Sequence, residues 1–347
     1  MKRCSAPAGF TLAELLVVVA ILSATALAAF GLVSEDRAQV RGDDTRNRLT
    51  ILRRAVLGPE TPAYGGEWRL AGYVADNGRL PEHLRDLLDS VDHAPQAGVT
   101  PLLTATVDGA CVQTGTGGSL GDVARVLKGH RGNYLGGLAS DGRFRDGWGN
   151  EGAPGEEDAL DFGWQVVLGV DASLEMTSLG ADNAPGETTG AAAEADQSMK
   201  IADADWRVAL DGWQVTLRNA GSDPLDAHDF GVNDFSQLGL ALLVFENTGA
   251  DGRWRQYRSH FNSCPAGTST PTLEAGESCV LKFVAGSDGK IACDAPGNRI
   301  AAQAPLGRHV LTLTAGGALP PLVRRVVAQA DFYPGAHPPN LVWEFRP

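Results

Sequence analysis

From Leu15 to Val33 the chain runs for 19 residues without a charge, about the length at which a helix crosses a bilayer. Lys2 and Arg3 precede the run, and Glu35 and Asp36 follow it. This asymmetry puts the N-terminus in the cytoplasm and the roughly 300 residues after the run on the far side. An ordinary secretory signal would have a shorter apolar core and a small-x-small cleavage site, and Ala24-Thr25-Ala26 and Ala26-Leu27-Ala28 offer that pattern. Glu14 argues against it. A carboxylate in an apolar segment, with no basic neighbour in the sequence, costs a few kcal/mol on insertion and needs a partner or a purpose.

The residues around Glu14 supply one. Gly9-Phe10-Thr11-Leu12-Ala13-Glu14 resembles the class III signal of type IV prepilins and pseudopilins: a short basic leader, glycine, phenylalanine, then glutamate at the fifth mature position. The resemblance implies a prepilin peptidase cutting between Gly9 and Phe10 on the cytoplasmic face, with N-methylation of Phe10. It also implies that Glu14 neutralises the Phe10 ammonium of a neighbouring subunit as helices pack into a filament. Such pairing offsets the burial cost of both charges.

Beyond the apolar run, Val40, Leu49, Leu52 and Val56 recur at near-helical spacing. Gly42 weakens the middle of this stretch, and Gly58-Pro59 ends it. One helix from Phe10 to about Leu57 would be roughly 70 Å long; two helices broken at Gly42 are the alternative.

Between residues 58 and 200 the expected elements are short. Gly72 to Leu88 holds a glycine turn and then a proline-started helix with Leu84, Leu87 and Leu88 on one face. A second helix is expected near Leu120 to Lys128, with Val123, Val126 and Leu127 inward. Asp146-Gly147-Trp148-Gly149-Asn150 follows, then a strand from Phe162 to Leu168, then Ser178-Leu179-Gly180-Ala181-Asp182. This order resembles the head of the major pseudopilin of type II secretion, which has a Leu-Pro helix, an Asp-Pro-Trp-Gly-Asn segment, a strand and Ser-Leu-Gly-Ala-Asp. Gly147 stands where that family has proline, and about ten extra residues, 151–161, precede the strand. The resemblance implies a calcium site in the loop after Ser178, with Asp182 as ligand and Asp196 as a plausible second; Asp203 and Asp205 lie beyond. Hard oxygen donors on a loop suit Ca2+. An acidic solvated loop is the plainer reading. Trp148 and Trp164 read as core aromatics.

After residue 201 the texture changes to short alternating runs: 206–210, 213–217, 238–245, 279–284, 309–313, 322–327 and 341–345. Turn clusters at 219–224 and 286–289 separate them. Seven or so such strands predict a β-sandwich, and the run from Leu273 to Cys279 is similar to the strand entry of many bacterial immunoglobulin-like domains. The fold class expected is thus α+β: a leader at 1–9, an N-terminal helix at 10–57 (membrane part 10–33), a pseudopilin-like head at 58–200 and an immunoglobulin-like sandwich at 201–347.

Five cysteines are present, of which Cys4 falls in the leader. Cys111, Cys264, Cys279 and Cys293 fit no zinc spacing, and export to an oxidising compartment favours disulfides. Four cysteines allow three pairings: a bridge within 264–293 is expected, with Cys111 free to pair with the remaining one and tie the two regions together. His130, His260 and His309 form no ligand spacing. The formal charge of −13, about −15 once Lys2 and Arg3 are removed, disfavours nucleic acid as a partner. No nucleophile elbow, metal motif or phosphate loop points to an enzyme. The function expected is a minor, low-copy or tip subunit of a type IV pilus or type II secretion-like filament. It would sit in the inner membrane before assembly, with other pilins and prepilin peptidase as partners. The alternative is a displayed adhesin whose sandwich binds a surface or carbohydrate.

Overall fold

The computed structural model describes residues 12–59, 70–88, 112–114, 128–131, 133–135, 142–151, 158–186, 194–247, 252–259, 261–265, 272–292, 299–315, 322–335 and 338–346. The expected helix near Leu120 lies outside these residues except for Lys128. So do His260, Gly9 and Phe10.

Helix α1 (Leu12–Leu57) is continuous over 46 residues, about 69 Å at the α-helical rise. Gly42 does not break it. Buried on its inner half are Ala38, Gly42, Thr45, Leu49, Leu52 and Val56, an alternation of threes and fours that keeps one stripe on one face, joined in the last turn by Ala55 and Leu57. Val40, expected on that stripe, is 68 % exposed; it falls two residues after Ala38, on the far side of the helix. Small residues come first along the stripe and leucines later. The helix ends where Gly58 takes φ +84° and its N–H donates to the Arg54 carbonyl at 2.8 Å.

After α1 come short elements: α2 (Tyr73–Asn77), a 3-10 turn at Leu84–Leu87, β1 (Val112–Thr114), which joins a sheet described below, α3 (Asp158–Asp161), and the antiparallel sheet β2 (Trp164–Leu168), β3 (Leu174–Ser178) and β4 (Gln197–Ile201). Helix α1 packs on α2 and β4. The strand expected from Phe162 starts two residues later, because Phe162 and Gly163 adopt φ +53° and +86°, which no strand accommodates. Leu84, Leu87 and Leu88 are buried as expected, on a single 3-10 turn. Its start is held by Asp161, whose Oδ1 accepts from Leu84 N at 2.9 Å.

The rest is largely β: α4 (Asp203–Trp206), then β5 (Arg207–Ala209), β6 (Gln214–Asn219), β7 (Leu225–Asp226), β8 (Leu238–Asn247), β9 (Gly252–Arg258), β10 (Phe261–Asn262), β11 (Thr272–Leu273), β12 (Ser278–Lys282), β13 (Lys290–Ala292), β14 (Arg299–Ala301), β15 (Gln303–Pro305), β16 (Gly307–Ala315), β17 (Leu322–Phe332) and β18 (Leu341–Phe345). Each of the seven alternating runs contains a strand. The two larger sheets are ordered β1-β9-β8-β16-β17 and β10-β12-β6-β18. β18 runs parallel to β6, and β1 brings residues before 201 into the larger sheet. One face of that sheet places Leu240, Leu242, Leu311 and Leu313 in the main core, with Trp213 stacked on Phe283 nearby. Its other face is also buried, at Ala241, Leu243, Phe245 and Val310. Several sheets, mixed with helices, therefore make up the architecture.

Candidate functional site

Over residues 12–27, α1 shows its apolar side chains to the outside on every face. Leu12, Leu15, Leu16, Val17, Val18, Val19, Ile21, Leu22 and Leu27 are all about half exposed or more, Leu12 at 83 %. A helix apolar all round has no single core to face and fits a surrounding apolar phase or a bundle of like helices. The hydroxyls of Ser23 and Thr25 are served from within the helix: Ser23 Oγ donates to Val19 O at 2.8 Å and Thr25 Oγ1 to Leu22 O at 3.0 Å. Glu14 is the acidic group of the first turn, at the end where helix dipoles favour negative charge. Among the described residues no helix is long and apolar enough to cross a membrane.

The inner half is clasped by the Asp146–Asn150 turn. Asp146 Oδ1 accepts from the backbone N–H groups of Trp148, Gly149 and Asn150 at 3.1, 2.8 and 3.0 Å. Its Oδ2 accepts from Ser178 Oγ at 2.6 Å and from Asn150 Nδ2 at 2.8 Å, and Asn150 Nδ2 also reaches Gly180 O. One buried carboxylate thus ties two of the sequence motifs together. On the helix side, Gly147 N donates to Thr45 Oγ1 at 3.1 Å, and a Cβ at Gly147 would overlap the Arg41 carbonyl oxygen. Arg41 lies over the Trp148 ring, and Arg48 donates to Arg145 O at 2.8 Å. Trp164 is core, its Nε1 donating to Phe144 O at 2.7 Å.

The loop between β3 and β4 carries the two aspartates expected to bind calcium. The β3–β4 pairing joins Ser178 to Gln197, so Asp182 and Asp196 stand on either side of the loop neck. That neck is closed by Ala181 N donating to Glu194 O at 2.9 Å and by Gly186 N donating to Asp196 Oδ2 at 2.9 Å. Asp182 Oδ1 accepts from Ala184 N, whereas the solvent-shielded Asp196 Oδ1 has no hydrogen-bond partner among the described residues. That shielded oxygen fits a cation. Among the described residues no group of three or more His, Cys, Asp or Glu side chains could hold a metal, so backbone carbonyls would have to complete a Ca2+ shell of six to eight oxygens. Asp203 and Asp205 are not brought to the loop. They pair with Arg207 at 3.0 Å and Arg53 at 3.3 Å.

Cys264 and Cys279 form a disulfide beside the β10–β12 pairing; Cys111 and Cys293 lie outside the described residues. Of the histidines, His130 contacts Asp86 O through Nε2 at 3.1 Å. His309, which strand alternation gives no reason to single out, is completely buried.

Residues 4–30 match the prokaryotic N-terminal methylation motif, the type IV prepilin-like signal. No curated protein and no solved structure matches the chain. Through this motif the chain has the N-terminus of a membrane-anchored, pilin-like protein, processed by prepilin peptidase and assembled with other pilins. Gly9, Phe10 and Glu14 all fall within the matched residues.

Proposed function

We propose that the chain is a minor pilin or pseudopilin, a low-copy or tip subunit of a type IV pilus or type II secretion-like filament. Cleavage follows Gly9, Phe10 becomes the methylated N-terminus, and Glu14 meets the Phe10 ammonium of the next subunit. The observation that carries this reading is the outer half of α1, apolar on every side, with an acid in its first turn and inside the methylation motif. The bulk of the region beyond α1, nearly 290 residues, suits a subunit present in few copies better than one repeated along a thin filament. In this reading the β-rich region is an immunoglobulin-like sandwich turned outward toward a partner pilin or a secreted substrate. The loop at Asp182 and Asp196 holds calcium, which would bring its two ends into one conformation.

Mass spectrometry of the membrane-extracted protein tests the processing step. The expected N-terminus is methylated Phe10; an intact Met1, or a terminus beyond Ala28, would overturn the proposal.

A further inference from the structure

A cluster of polar groups, buried at Lys128 and His309 and open at Arg131 and Arg308, lies where α2 and residues 128–131 and 133–135 meet β16 and β17. Lys128 is 5 % exposed, and its Nζ donates to Ala75 O at 2.7 Å. It fits there because position 307 is glycine: with φ +124°, a Cβ at Gly307 would stand 2.6 Å from Ala75 O and 2.9 Å from Lys128 Nζ. Asp76, on α2, accepts from Tyr134 Oη at 3.0 Å and pairs with Arg131 at 3.1 Å. From the β side come Arg308 and Asp331, joined by two bonds of 2.8 and 2.9 Å. His309 is fully buried against Phe332, with Nε2 2.8 Å from Pro305 O. A carbonyl only accepts, so Nε2 carries the proton and Nδ1 is a bare lone pair. Nδ1 has no partner among the described residues, and a proton added there would bury a second N–H facing no acceptor.

We propose that this cluster is a proton-sensitive latch between the helical head and the β-rich region: the seam is tight while Lys128 and His309 are neutral and loosens as they take up protons. Two buried bases, Lys128 in the field of Asp76 and Asp331 and His309 in that of Lys128, give the seam its dependence on pH. Burial lowers the Lys128 pKa to about 7, with Asp76 and Asp331 opposing and Arg131 and Arg308 assisting. Burial, then the nearby Lys128 charge, holds His309 well below its ordinary value. An opened seam restores ordinary values, so it binds protons that the closed seam does not. For Lys128 closure weakens as pH falls from about 10.5 to about 7 and then levels off; for His309 it weakens below about 6.5. Asp76 works the other way. Burial raises its pKa, so its protonation at lower pH favours closure.

Hydrogen exchange of the full chain in detergent, at pH 8.5 and pH 6.0 and corrected for intrinsic rates, tests the latch. Segments 73–78, 128–131 and 307–313 should exchange at least about tenfold faster at pH 6.0, while the β2–β3 hairpin should not change. Lys128→Met with His309→Phe should remove that difference and keep the seam protected at both pH values. Equal seam protection in the unmodified chain at both pH values would overturn the latch. So would a pH difference that persists in the double variant. If the variant fails to fold, the comparison within the unmodified chain decides.

Discussion

Gly147 shows how much one missing side chain sets. Its N–H bonds Thr45 on α1, and its bare Cα lets the Asp146 turn lie against the Arg41 carbonyl. Proline at this position would lose the N–H and add ring atoms at the contact. Gly147→Ala is therefore expected to destabilise the chain by about 2–3 kcal/mol through overpacking. Thr45→Val should cost about 1 kcal/mol for the lost bond. Both are read from denaturant melts, and an alanine variant as stable as the parent would remove the close contact from the account. The glycine was visible in the sequence; the need for it was not, because the overlapping atom belongs to a helix about a hundred residues away. The same holds for Lys128 and His309. Neither spacing nor composition distinguishes a surface lysine from one that fills the gap left by Gly307.

Among elements, α1 was the most legible, since an uncharged run and a leucine stripe have few other readings. Alternation marked the strands that bury one face, such as β6 with Val215 and Leu217. It missed β9, where Arg253, Arg255 and Arg258 interrupt the apolar pattern although Gln256, Tyr257 and Arg258 are buried. Of the β3–β4 hairpin the sequence marked neither strand, only residues 178–182 and the loop aspartates. There the proposed calcium site makes a definite prediction. A cation that binds only the native state raises stability by mass action, so millimolar calcium should raise the melting temperature above that in chelator. Asp182→Ala should erase most of this difference while barely moving the melt in chelator, whereas a purely structural aspartate would lower both melts equally. Magnesium should substitute poorly, because it demands tighter octahedral geometry. An unchanged melt in calcium would leave the loop as a solvated acidic turn.

At the scale of the whole molecule, the two halves of α1 have different surroundings: the outer half bare, the inner half held by Thr45, Arg48 and the Asp146 turn. Assembly should then depend on the outer half alone. Glu14→Ala is expected to leave folding, cleavage at Gly9 and membrane insertion intact, yet to reduce incorporation into filaments at least about tenfold if it removes a buried charge pair. Immunoblots of sheared filaments against membranes give the readout, and normal incorporation would remove the role assigned to Glu14. The clasp at Asp146 also has a mechanical side. A subunit held by one end of a helix feels any pull on its far domains along that helix. Load applied to the β-rich region passes to the head through the main chain at 201–207, the β1–β9 pairing and the seam at Gly307 and Lys128, and reaches α1 through α2 and β4, while the clasp stops the helix from sliding along the head. Under tension the clasp therefore sets how far the head can be drawn along the helix.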